Sequence, residues 1–155
     1  MKYVFHDGGR EAAGYSGKAG DCVCRSISIV TGIDYGQVYE SLADGNASQR
    51  RSARTGKRPR TARDGINTGR QWFKEYMGSL GFVWTPTMLV GSGCKVHLRD
   101  GELPHGRLVV AVSKHMTAVI DGVIHDTHDC SRGGTRCVYG YWAWSPSLSG
   151  TGRTA

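Results

Sequence analysis

No stretch of this 155-residue chain approaches the ~18–20 consecutive apolar residues that a membrane-spanning helix needs, which argues against a membrane partner. The opening residues, Met1-Lys2-Tyr3-Val4-Phe5-His6-Asp7, lack the apolar core of a secretory signal, so the expected location is the cytoplasm. Paired Cys-x-x-Cys knuckles are missing as well. The five cysteines are Cys22, Cys24, Cys94, Cys130 and Cys137, and the spacings Cys22-x-Cys24 and Cys130-x6-Cys137 do not suit a structural zinc. No metal or other cofactor is expected. An odd number of cysteines without an export signal also argues against structural disulfides. There is no internal repeat.

Acidic residues are almost absent from one region. Between positions 50 and 70 stand Arg50, Arg51, Arg54, Lys57, Arg58, Arg60, Arg63 and Arg70 against the single acid Asp64, a cluster that accounts for the net charge of +7. The same stretch lacks interleaved aromatics, which disfavours base stacking. Residues 45–69 therefore read as a polar loop or arm, and Arg50, Arg51, Arg54, Lys57, Arg58, Arg60 and Arg63 are candidate contacts for nucleic acid or an acidic protein. A solvated arm is the plain alternative.

The remainder is ordinary for a folded protein. A hydrophobic fraction of 39% and 9% aromatics exclude global disorder, and the length suits a single domain over 1–155 with one core. A short strand is expected at Tyr3–Phe5, then a glycine-rich approach from Gly8 to Gly20. A helix follows over Cys22–Thr31, with Asp21 as N-cap and Gly32 as stop. A second helix spans Tyr35–Leu42, announced by Asp34 and Gln37 in capping-box spacing. Helical spacing resumes at Trp72, Phe73, Tyr76, Met77 and Leu80 and ends at Gly81. Strands are expected over Phe82–Trp84, Cys94–Leu98, Leu108–Val112, Met116–Ile120, Val123–Thr127 and Cys137–Trp144. Helices first and an antiparallel sheet second make an α+β fold.

Two positions carry chemistry. Cys22 opens its helix, where the positive end of the helix dipole favours a thiolate. Cys24 lies about 200° round the same helix and suits plain packing. Asp121-Gly122 is a preferred two-residue hairpin turn, which would pair Ile120 with Val123 and set Thr117 opposite Asp126. That register puts His115, Thr117, Asp126 and His128 on one face, with His115 diagonal to Asp126 and within side-chain reach. His115 is then a candidate general base towards Cys22, oriented by Asp126. A structural hydrogen bond across the sheet, with Cys22 a buried thiol, uses the same residues. Arg25, alone on an apolar helix, needs an acidic partner or a carbonyl cluster.

Gly20-Asp21-Cys22 opening a helix, followed by His115-Met-Thr-Ala-Val119 and by Asp126 on the next strand, resembles the papain-like cysteine peptidase superfamily. The resemblance is to its compact branch of bacteriocin-processing peptidases. The chain is also similar to small bacteriophage proteins through Gly-Asp-Cys-x-x-Arg and Arg-Cys-Val-Tyr-Gly-Tyr-Trp, which would make its location the bacterial host cytoplasm. The resemblance implies a papain-like fold with Cys22 as nucleophile, His115 as base and Asp126 as orienter. The family's oxyanion glutamine, six residues before the cysteine, is replaced here by Ser16. The expected oxyanion donors are therefore the Cys22 backbone N–H and the Ser16 hydroxyl. The resulting expectation is a hydrolase of a peptide, isopeptide or other amide bond in a peptide or protein substrate. A non-catalytic scaffold that holds nucleic acid or an acidic protein through the basic arm is the competing one.

Overall fold

Asp121 and Gly122 both have positive φ, 47° and 80°, as a type I′ hairpin turn requires. Ile120 pairs with Val123, Val119 with Ile124 and Ala118 with His125, the register read from the turn residues. The structure, a computed structural model, describes residues 1–15, 20–48, 61–62 and 66–146. In chain order these form strand β1 (Lys2–Phe5), helices α1 (Cys22–Thr31), α2 (Tyr35–Ser48) and α3 (Gln71–Leu80), and strands β2 (Phe82–Pro86), β3 (Arg107–Val112), β4 (His115–Ile120), β5 (Val123–Asp126) and β6 (Val138–Trp144). The six strands make one sheet in the order β1-β5-β4-β3-β6-β2.

The fold is α+β, but the sheet is not purely antiparallel. The N-terminal β1 joins it as an edge strand parallel to β5, pairing Lys2 with Val123 and Phe5 with Asp126. Four residues with exposed Val4 and Phe5 carry little pattern, so only the free edge of β5 decides that pairing.

Helix α1 keeps the predicted bounds, and Gly32 stops it in the left-handed region at φ 77°, donating its N–H to Ser28 O at 2.8 Å. Its last carbonyls are met from the sheet, where the Arg107 guanidinium donates to Val30 O (2.6 Å) and Ile29 O (3.1 Å). The expected cap at the other end is absent. Asp21 makes no side-chain cap bond, because the Arg10 and Arg25 guanidinium groups claim its carboxylate. Helix α2 runs on to Ser48, beyond the expected end at Leu42. Gly45 is a packing residue there, since a Cβ on it would stand 2.2 Å from the Trp72 ring.

Two apolar clusters flank the sheet. On the helical side Ile27, Val30, Val38, Leu42, Phe73 and Met77 pack against Val109, Met116, Ala118 and Trp142. On the other side Leu98, Leu108, Val110, Val119, Ile124 and Val138 pack beneath the long loops. The strand expected at Cys94–Leu98 is reduced to a single bridge between His97 and Cys137. That bridge sets two segments side by side, and Cys94 and Cys137 form a disulfide with Cα atoms 5.9 Å apart. The expectation of no structural disulfide is therefore corrected. Cysteine counting weighs compartment and cannot see such a juxtaposition.

The loop before α1 is held against it at one point. Gly8 has φ 74°, its carbonyl accepts the Ser28 hydroxyl at 3.0 Å, and a Cβ would meet Arg25 Cα at 3.0 Å. The Gly8→Ala variant is expected to lose about 1–2 kcal/mol from the left-handed conformation alone. A lowered urea midpoint at unchanged m-value is the measurement, and an unchanged midpoint contradicts it.

Candidate active site

Antiparallel pairing sends β4 and β5 in opposite directions, so the first residue of β4, His115, and the last of β5, Asp126, lie at the same end of the sheet. Helix α1 packs mainly on β4 and begins at this end with Cys22. Three segments that are distant in sequence thereby meet. His115 Nε2 lies 2.7 Å from Asp126 Oδ2, and the same ring neighbours the thiols of Cys22 and Cys130. The half-buried Cys22 thiol opens into a cleft of about 680 Å³ whose walls include His115, Thr127, His128, Lys114 and Tyr139. That volume falls in the range of small-molecule and peptide side-chain pockets.

Burial alone would raise the Cys22 thiol, yet the hydrogen bond and charge of His115 outweigh it and lower its pKa. Burial likewise opposes the His115 cation, but hydrogen bonds to Asp126, Cys130 and Cys22 hold its pKa well above the ordinary histidine value. Asp126 is 3% exposed, and against that desolvation the His115 bond and charge keep its carboxylate well below the usual range. These interactions push Cys22 towards thiolate, His115 towards imidazolium and Asp126 towards carboxylate. Cys24 is the opposite case. It is fully buried and desolvation pushes its thiol up to about 12, as expected of a packing residue.

The other Asp126 oxygen, Oδ1, accepts Thr127 N–H at 2.7 Å and faces Arg25 Nη2 at 3.4 Å. Arg25 thus finds two acidic partners, Asp126 and the buried Asp21. Asp21 also holds Arg10 Nε at 3.1 Å and accepts the Tyr35 hydroxyl at 2.5 Å. A lone cation on an apolar helix signalled the need for a partner, though not which one. Cys130 carried no such signal. Its sulfur lies 3.7 Å from Asp126 Oδ2, behind the His115 pair. The His128 ring lies 5.1 Å from the His115 ring, centroid to centroid, tilted by 48°, just beyond the end of β5. His6 and His97 sit elsewhere, against His125 and Glu102 respectively.

Ser16 lies outside the described residues, as do Arg50, Arg51, Arg54, Lys57, Arg58, Arg60 and Arg63 of the arm. For the oxyanion the described residues offer the first turn of α1, whose N–H groups have no intrahelical acceptor and lie at the positive end of the dipole.

The shifts set the pH dependence of folding. The raised His115 contributes stability that is complete below its unfolded pKa of ~6.5 and is lost as pH rises through its folded value. The depressed Asp126 contributes stability above its unfolded ~3.9, lost as pH falls through its folded value. Both contributions are present together between about pH 4 and about pH 6.5. In urea midpoints taken from roughly pH 3 to roughly pH 10, Asp126→Asn should flatten the acid limb and His115→Ala the alkaline one. Profiles parallel to the wild type would show that the pair is not coupled to folding. No protein-family model, curated protein or solved structure matches this chain, so the chemistry of the site rests on its own residues.

Proposed function

We propose that this protein is a papain-like cysteine hydrolase that cleaves a peptide, isopeptide or other amide bond, with Cys22 as nucleophile, His115 as general acid and base, and Asp126 as the residue that orients His115. The observation that carries this reading is His115, engaged by Asp126 at 2.7 Å through Nε2, standing beside a Cys22 thiol whose pKa is lowered. A packing cysteine in the same helix has its thiol raised instead, so the environment of Cys22 is specific to its position.

The reaction follows from those charges. The Cys22 thiolate adds to the carbonyl carbon, and the oxygen becomes an oxyanion met by N–H groups of the first turn of α1. His115 gives its Nδ1 proton to the leaving nitrogen, the C–N bond breaks, and a thioester to Cys22 remains. Water, losing a proton to His115, attacks the thioester. The C–S bond breaks, the acid leaves, and the thiolate–imidazolium pair is restored. Asp126 keeps the ring oriented and its cation stable throughout, as the carboxylate does in related triads.

Iodoacetamide tests the nucleophile directly. At pH 6 an ordinary thiol of pKa ~8.5 is only about 0.3% thiolate, so Cys22 should be alkylated well before Cys24 and Cys130, and His115→Ala should slow it. With 4-nitrophenyl acetate, the wild type should release a burst of one equivalent of nitrophenolate, Cys22→Ala none, and His115→Ala should turn over about 10²–10⁴-fold more slowly. Equal alkylation of the three free thiols, or a burst that survives in Cys22→Ala, sinks the proposal.

A further inference from the structure

We propose that His115 Nε2, Asp126 Oδ2 and Cys130 Sγ form a binding site for a borderline-soft divalent cation of the zinc type, and that filling it switches the thiol site off. The second half rests on the catalytic reading above, while the first stands without it.

One nitrogen, one oxygen and one sulfur donor lie within 4.8 Å of one another, at the start of β4, the end of β5 and the loop after it. Bonds of ~2.0–2.1 Å to nitrogen, ~2.0–2.2 Å to oxygen and ~2.3 Å to sulfur put tetrahedral donors about 3.3–3.6 Å apart. The sulfur already stands 3.7 Å from Oδ2. Nε2 and Oδ2 stand at 2.7 Å because a proton lies between them, and replacing that proton with a metal ion needs an opening of only about 0.6 Å.

The cluster is also supported from behind. Cys130 is 2% exposed and Asp126 3%. Thr127 N–H and Arg25 hold Oδ1, which leaves Oδ2 facing His115 Nε2 and Cys130 Sγ as the coordinating oxygen, the kind of outer contact that orients metal-ligating carboxylates. The Arg25 charge next to the site is offset by its ion pair with Asp21. Imidazole, thiolate and one carboxylate oxygen suit zinc or cobalt and not magnesium or calcium, which take oxygen donors. Three protein donors leave a fourth position for water.

Binding displaces two protons to solvent, the Cys130 thiol proton and the proton on His115 Nε2. With the ion on Nε2, His115 keeps its Nδ1 proton towards Cys22 but is no longer an imidazolium. It then has no readily transferable proton for the leaving nitrogen, and Asp126 is turned from orienting the ring to holding the metal.

Cobalt(II) titration of the whole protein tests the site through its thiolate-to-metal charge-transfer absorption. Wild type and Cys22→Ala should both bind one equivalent, reversed by zinc, and Cys130→Ser should lose the charge-transfer band. Should Cys130→Ser fold poorly by circular dichroism, the ¹⁵N resonance of His115 Nε2 in the wild type replaces it and should move on adding one equivalent of zinc. A charge-transfer band absent from Cys22→Ala, a band retained in Cys130→Ser, or an unmoved Nε2 resonance overturns the site. The switch is read separately, as zinc-dependent loss of the 4-nitrophenyl acetate burst in the wild type. Metal binding with an undiminished burst overturns the inhibition alone. A wild type with no burst at all counts against the catalytic reading and leaves the cobalt result standing.

Discussion

Everything at the working end of this molecule depends on a buried run of alternating charge. From Tyr35 and Arg10 it passes to Asp21, then Arg25, then Asp126, and ends on His115. Asp21, Arg25 and Asp126 are each less than a tenth exposed, so no member tolerates loss of its neighbour. Such pairs add little net stability compared with an apolar core of the same volume, because desolvation cancels most of the attraction. Their effect is positional. They fix the N-terminus of α1 against the ends of β4 and β5, where a slip of one residue would leave a buried charge unpaired.

That positional demand explains why Asp21 is not a helix cap. A cap bond would satisfy one backbone N–H and contribute about 1 kcal/mol. The buried Arg25 and the partly buried Arg10 require a counter-charge, and stranding a buried charge costs several times as much. Charge pairing therefore prevails over capping. The same electrostatics separate the two cysteines of the helix. Cys22 lies beside His115 and is pushed towards thiolate, whereas Cys24 is buried in the helical core, donates to Tyr35 O and is held as thiol by desolvation.

The sheet divides the labour between its two faces. The helical face carries the larger apolar cluster, and α1 sits on β4 with Ser26 Oγ donating to Met116 O at 3.1 Å, which fixes the helix lengthwise. The loop face carries the smaller cluster, with Cys130 at its border and the Cys94–Cys137 disulfide across its loops. Asp126 stands where the two meet. From one side it receives Arg25 and His115, and from the other Cys130. A carboxylate in that position senses both faces, and its two oxygens are therefore not equivalent.

Local rules carried far in this sequence. Apolar spacing and Gly32 marked α1 to the residue, and Asp121-Gly122 fixed the hairpin register that sets His115 beside Asp126, because a two-residue turn has one compatible pairing. Where long-range contact decides, the same rules fall short. The extension of α2 beyond Leu42 carries Gly45 against the Trp72 ring, and the parallel pairing of β1 depends on which sheet edge is free. The disulfide joins cysteines forty-three residues apart and depends on the bridge between His97 and Cys137. Cys130 reaches the site only because the loop after β5 folds back on Asp126. By itself, then, the sequence determined which side chains share a helix turn or a hairpin face. The tertiary structure alone decided which charges those side chains meet, since burial and counter-charge belong to the assembled end of the sheet and to no single segment of it.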